Sequence, residues 1–267
     1  MLVASLTDSY MTRKFNMKVA VFSKRFASQA FTTTEALIVV VILVVLTALL
    51  LPIVPHRVVH RPKLAQIEIA QIVSAIQQYH AVYGRYPVPT NVQIVASANK
   101  EDFTYGGPAL NAFLGPGSTT PVNADVIAIL LDLTNYLSGE PTANYNHNLN
   151  PQKIVFLNAR LTDNTNAPGI GPDLVYRDPW GHPYIISLDL NGDNRCRDAF
   201  YKRHLVSRKN GALGFCGLTN TSDATGTSDL FEYKGGVMVW SFGPDGKVNK
   251  SRPAIDSPNK DNVLSWD

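Results

Sequence analysis

Ala30-Phe31-Thr32-Thr33-Thr34-Glu35 runs directly into an apolar segment that closes on Leu51-Pro52-Ile53-Val54-Pro55. From Ala36 to Pro55 no residue is charged, and Val, Leu and Ile dominate. That length is about what a helix needs to cross a bilayer core. One carboxylate, Glu35, stands at its entrance. A cleaved secretory signal needs a shorter apolar stretch, roughly 7–15 residues, and a small-x-small exit. A helix buried in a soluble core is a second reading, but a segment apolar on every face behind a basic leader argues for lipid. A plain membrane anchor explains all but the order of residues at its start.

That order resembles the type IV prepilin signal: Lys24 and Arg25 in the leader, Ala30 before the cut, Phe31 first after it and Glu35 fifth. Ala30 stands where Gly is usual, and Thr32-Thr33-Thr34 is more polar than the usual run. Pro52 falls at the twenty-second mature position, where many pilins carry a kinking proline. The resemblance implies cleavage and N-methylation at Phe31 by a prepilin peptidase. It also implies a cytoplasmic N-terminus and a periplasmic head held at the inner membrane before assembly.

Length and charge set the remaining bounds. A leader of residues 1–30 holds five cations against Asp8, so of the 24 basic and 21 acidic residues the rest keeps 19 and 20. A near-neutral mature chain carries no nucleic-acid footprint. The divisions expected are a leader at 1–30, a transmembrane and assembly half-helix at 31–55, an amphipathic half-helix at 56–84 and a head at 85–267. Within the head, 89–173 reads as an insertion and 174–267 as the sheet with a C-terminal loop.

Ile69, Ile72, Val73, Ile76, Tyr79 and Tyr83 recur at helical steps, so the helix continues past the membrane segment with a stripe for a core. Gly84 and Pro87 stop it. Val126–Leu133 is a short helix or a buried strand, and by length a helix from about Asn123 to Tyr136 is expected. Tyr184–Leu188 and Gly235–Phe242 read as strands. The fold class expected is α+β: one long N-terminal helix, half transmembrane and half amphipathic, on a small antiparallel sheet with a loop-rich insertion.

Three further stretches resemble the major pseudopilins of type II secretion. They are Gly84-Arg85-Tyr86-Pro87, Asp178-Pro179-Trp180-Gly181-His182-Pro183-Tyr184, and the ending from Gly243-Pro244-Asp245-Gly246 to Asp261-Asn262-Val263-Leu264-Ser265-Trp266. The resemblance implies that this ending wraps a calcium ion, with Asp245, Asp261 and Asn262 as side-chain ligands; Asn262 replaces an acid. Asp189-Leu190-Asn191-Gly192-Asp193 offers alternate oxygens to a hard cation, and equally reads as an Asx-rich turn. Cys196 and Cys216 both fall in the exported part, where a bridge closing a loop of about twenty residues is expected, worth about 3 kcal/mol.

No His-Glu-x-x-His, Gly-x-Ser-x-Gly, Cys-x-x-Cys or Walker loop is present, so no reaction is proposed by motif. The function the resemblance implies is that of a non-enzymatic pseudopilin. It polymerises with its own copies and other pseudopilins on a secretion assembly platform, with Glu35 setting register. A type IV pilus subunit with a ligand-binding or adhesive head is the alternative.

Overall fold

The structure, a computed structural model, describes residues 32–50 and 57–267. The leader, Ala30, Phe31 and Pro52 lie outside the described residues. The chain divides into two compact units, Met1–Pro55 and His56–Asp267.

In the first unit, α1 spans Thr33–Leu50. Its start is fixed by a reciprocal capping box. The Thr32 amide and hydroxyl donate to Glu35 Oε2, each at 2.9 Å, and the Glu35 amide returns a bond to Thr32 Oγ1 at 3.3 Å. The Thr-rich run is thus helix-entry chemistry. All ten side chains from Leu37 to Leu46 are exposed, between 45% and 67%.

The expected transmembrane half is not what the described residues adopt. α2 spans Arg57–Tyr83. The eighteen residues of α1 extend about 27 Å, short of the ~30 Å of a hydrocarbon core. Among the described residues no helix is long and apolar enough to cross a membrane.

The second unit is α+β, built on a small antiparallel sheet of order β1-β4-β7-β8. Its strands are β1 Phe103–Tyr105, β4 Ile185–Leu188, β7 Val237–Ser241 and β8 Val263–Leu264. The register sets Ile185 opposite Trp240 and Trp240 opposite Leu264. Side chains alternate between faces along a strand, and here both faces are covered. One face presents Ile186, Leu188, Val237, Val239 and Val263 to α2, whose Ile69, Ile72, Ile76 and Tyr79 are buried. Burying each such side chain stabilises by about 1.5–3 kcal/mol. The other face presents Ile185, Met238, Trp240 and Leu264 to Phe200, Tyr201 and Phe231. Two-sided cover explains why these strands are apolar at nearly every position.

α2 ends at Tyr83; Gly84, at φ +66°, donates its amide to the His80 carbonyl. The chain then forms α3 (Thr90–Asn99), β1, α4 (Gly107–Leu114) and α5 (Ala124–Leu130). The helix expected to reach Tyr136 stops six residues earlier, because Asp132 adopts φ +55°. Segment 89–173 belongs to the body of the unit: it supplies β1 to the sheet and, from α5, the fully buried Val126–Leu130 to the α2 side of the core. Two short pairs, β2 Gly169–Ile170 with β3 Tyr176–Arg177 and β5 Arg208–Asn210 with β6 Leu213–Gly214, form separate two-stranded sheets. α6 (His204–Ser207) precedes β5.

Cys196 and Cys216 are both free, which corrects the expected bridge. Cys196 is fixed in the core by backbone bonds to Tyr233 in both directions, whereas the Cys216 thiol donates to Asp267 Oδ1 at 3.1 Å. Burial pushes both thiols up, that of Cys216 to about 12.

Candidate functional site

The Asp178 turn and the C-terminal loop, remote in sequence, are clasped together. Asp178 is fully buried. Its Oδ1 accepts the amides of Trp180 and His182, both at 2.9 Å, which closes the Pro179–Gly181 turn. Its Oδ2 accepts from the hydroxyl of Ser241, the last residue of β7, and that hydroxyl in turn accepts the Gly243 amide at 3.0 Å. One carboxylate therefore sets both the turn and the point where the chain leaves the sheet. Trp180 packs against the α2-side core.

Past β7 the loop is drawn tight at Gly243, whose φ of +70° suits glycine. A Cβ there would lie 2.1 Å from the Asp261 carbonyl oxygen. The two arms of the loop touch at that point. Asn259, nearly fully buried, staples the arms from within. It accepts the Asn249 amide at 2.7 Å and donates to the carbonyls of Asn249 and Arg252 at 2.9 and 2.8 Å.

Asp245 and Asp261 come together electrostatically. Burial, and then the charge of Asp245, lift the Asp261 carboxyl above its ordinary value. Among the described residues Asp245 Oδ1 accepts the Lys247 amide alone, at 2.9 Å. Asn262 donates Nδ2 to Tyr201 Oη at 2.8 Å, while its Oδ1 is buried with no hydrogen-bond partner among the described residues. A buried acceptor without a donor costs about 1–3 kcal/mol. Two like charges and an unpaired amide oxygen make a donor set suited to a hard divalent cation. The residues fit calcium in kind. Among the described residues no group of three or more His, Cys, Asp or Glu side chains is placed to hold a metal, so such a site relies on Asn262 and backbone carbonyls.

His182 is a neighbour of this loop that no spacing in the sequence announces. Its Nε2 lies so close to Gly246 that a Cβ there would come within 2.4 Å. The Asp178 carboxylate, 3.7 Å from Nδ1, holds the imidazole above its ordinary value against the pull of burial, and the charge of Asp245 adds to it.

The second oxygen-rich loop folds on itself. Asp189 accepts the Gly192 and Asn194 amides at 2.7 and 2.8 Å, Asn191 accepts Asp193, and Asp193 accepts Arg195. Each of the three side chains closes an Asx-type turn.

The side of α2 and the C-terminal segment enclose an open groove of about 920 Å³, walled by Ile69, Ala70 and Val73 opposite Asp261, Leu264 and Asp267. No protein-family model, no curated protein and no solved structure matches this chain.

Proposed function

We propose that the chain is a structural pseudopilin of a type II secretion-like pseudopilus, cut before Phe31 by prepilin peptidase and polymerised through α1. The observation that carries this reading is the bare surface of α1. Leu37–Leu46 are apolar on every face and exposed, so the helix needs an apolar cover from its surroundings. Copies of the same helix, side by side in a filament, supply one.

Glu35 has a definite part in that assembly. Its Oε2 is engaged by Thr32, while Oε1 has no partner among the described residues. The freed, N-methylated amine of Phe31 on an adjacent copy is the cation proposed to meet it. Pairing Oε1 with that amine offsets the cost of placing a carboxylate among apolar helices and fixes the axial register. Glu35→Ala should leave cleavage intact and abolish incorporation into filaments; normal incorporation contradicts the mechanism.

Calcium is the cofactor proposed for the C-terminal loop, held by Asp245, Asp261 and Asn262. When bound it supplies the positive charge that Asp245 and Asp261 together lack. The chain's own contribution is Gly243 and Asn259, which bring the arms within reach. The motifs that resemble pseudopilins lie in this unit, and they favour the secretion reading over an adhesive pilus.

A further inference from the structure

A second pocket, distinct from the groove beside α2, lies between the β5–β6 pair and the stretch Pro253–Ile255 of the C-terminal loop. The Ala254 amide donates to the Val206 carbonyl at 2.8 Å, which holds its two sides together. At about 540 Å³ it falls within the ~300–1,000 Å³ of small-molecule sites. Its wall is mostly apolar, with half-buried Phe215 beside Cys216 facing Pro253 and Ile255. Ile255 is 67% exposed, so an apolar ligand that covers it gains from the water released.

The charge on this pocket has one sign. Arg208 and Lys209 of β5, both exposed, line it, and no acidic side chain does. Neither cation has an ion-pair partner among the described residues. Lys209 stands close enough to Cys216 for its charge to act on that thiol. The nearest acid is Asp267, which takes the hydrogen bond of the Cys216 thiol and lines the groove beside α2 instead. Just beyond the walls in sequence, Arg252 and Asp256 cancel. With Asp267 counted, two cations still face one anion.

We propose that this pocket binds a single-chain amphiphilic carboxylate, its tail against Phe215, Pro253 and Ile255 and its headgroup at Lys209 and Arg208. An apolar body fixed by a few polar groups is the usual design of a small-ligand site. A carboxylate met by an ammonium or guanidinium makes the stronger, charge-assisted kind of hydrogen bond.

The test is a titration of the full chain, held in detergent, with butanoate, hexanoate and octanoate, followed by the amide shifts of Phe215, Cys216, Gly217 and Ile255. The shifts should saturate, and affinity should rise about threefold with each added methylene. Octylamine, of equal length and opposite charge, should bind at least tenfold more weakly than octanoate. Lys209→Glu should weaken octanoate at least tenfold and strengthen octylamine, a reversal that an unfolded variant would not show. The proposal is overturned by shifts that do not saturate, which mark partition into the micelle alone. Equal binding of octanoate and octylamine, or octanoate binding unchanged in Lys209→Glu, overturns it too.

Discussion

Tyr184, immediately before β4, donates its hydroxyl to Oε2 of Glu68 on α2 at 2.5 Å. The bond ties the helix to the start of the sheet strand beside the apolar cluster that the two share. Burial lifts the Glu68 carboxyl above its ordinary value, and the Tyr184 bond opposes that rise. A carboxyl raised in the folded state contributes stability that is complete below its unfolded value, near 4.5, and is lost as pH climbs through the folded value. Tyr184→Phe removes the opposing bond, so the loss grows. Thermal melts should show Tyr184→Phe about 1 kcal/mol less stable than the parent at neutral pH, with the gap narrowing toward pH 4. A gap that widens on acidification argues against this account.

Asp198 holds the second face of the sheet. Fully buried, it accepts from Ser187 Oγ at 2.7 Å, Trp240 Nε1 at 3.0 Å, and the Phe200 and Tyr201 amides, both at 2.8 Å. Asp198→Ala strands four buried donors, each worth roughly 1–3 kcal/mol when unpaired. Urea denaturation should register a loss of at least ~3 kcal/mol, while Asp193→Ala, on an exposed turn, should fall within about 1 kcal/mol of the parent.

Two glycines of similar backbone conformation separate strain from crowding. Gly192, at φ +79°, has open space within 4 Å of where a Cβ would stand, whereas Gly243, at φ +70°, meets the Asp261 carbonyl. Gly192→Ala should cost only the left-handed strain, about 1–2 kcal/mol. Gly243→Ala should cost more and should also remove any rise in melting temperature that millimolar calcium produces in the parent. Equal effects at the two positions contradict the close approach of the loop arms.

The two thiols give a chemical check. A maleimide applied to the folded protein should label Cys216 slowly and leave Cys196 untouched, and both should react once urea is added. Resistance of both in urea without reductant would restore the bridge.

Periodicity made α2 legible, since Ile69, Ile72, Ile76 and Tyr79 repeat at helical steps and are all buried. The strands around Ile185 and Val239 were legible for a related reason, being apolar runs bounded by Gly and Pro. The early end of the helix begun at Ala124 was not, because an apolar run carries no sign of where a helix ends inside it. The roles of residues 189–236 were equally hidden. That stretch is polar in composition, yet Phe200, Tyr201 and Phe231 from it cover the second face of the sheet. At the candidate site, Asp245, Asp261 and Asn262 were visible by resemblance. Asn259 and Ser241 were not, because a single buried polar residue leaves no pattern in a sequence.

The central claim, a subunit processed at Phe31 and assembled through α1, is tested most directly by the mass and sequence of the mature N-terminus in cells that carry a prepilin peptidase. The account predicts a chain that begins with N-methylated Phe31 and keeps residues 31–267. A chain that retains the leader, or one cut at another position, contradicts it.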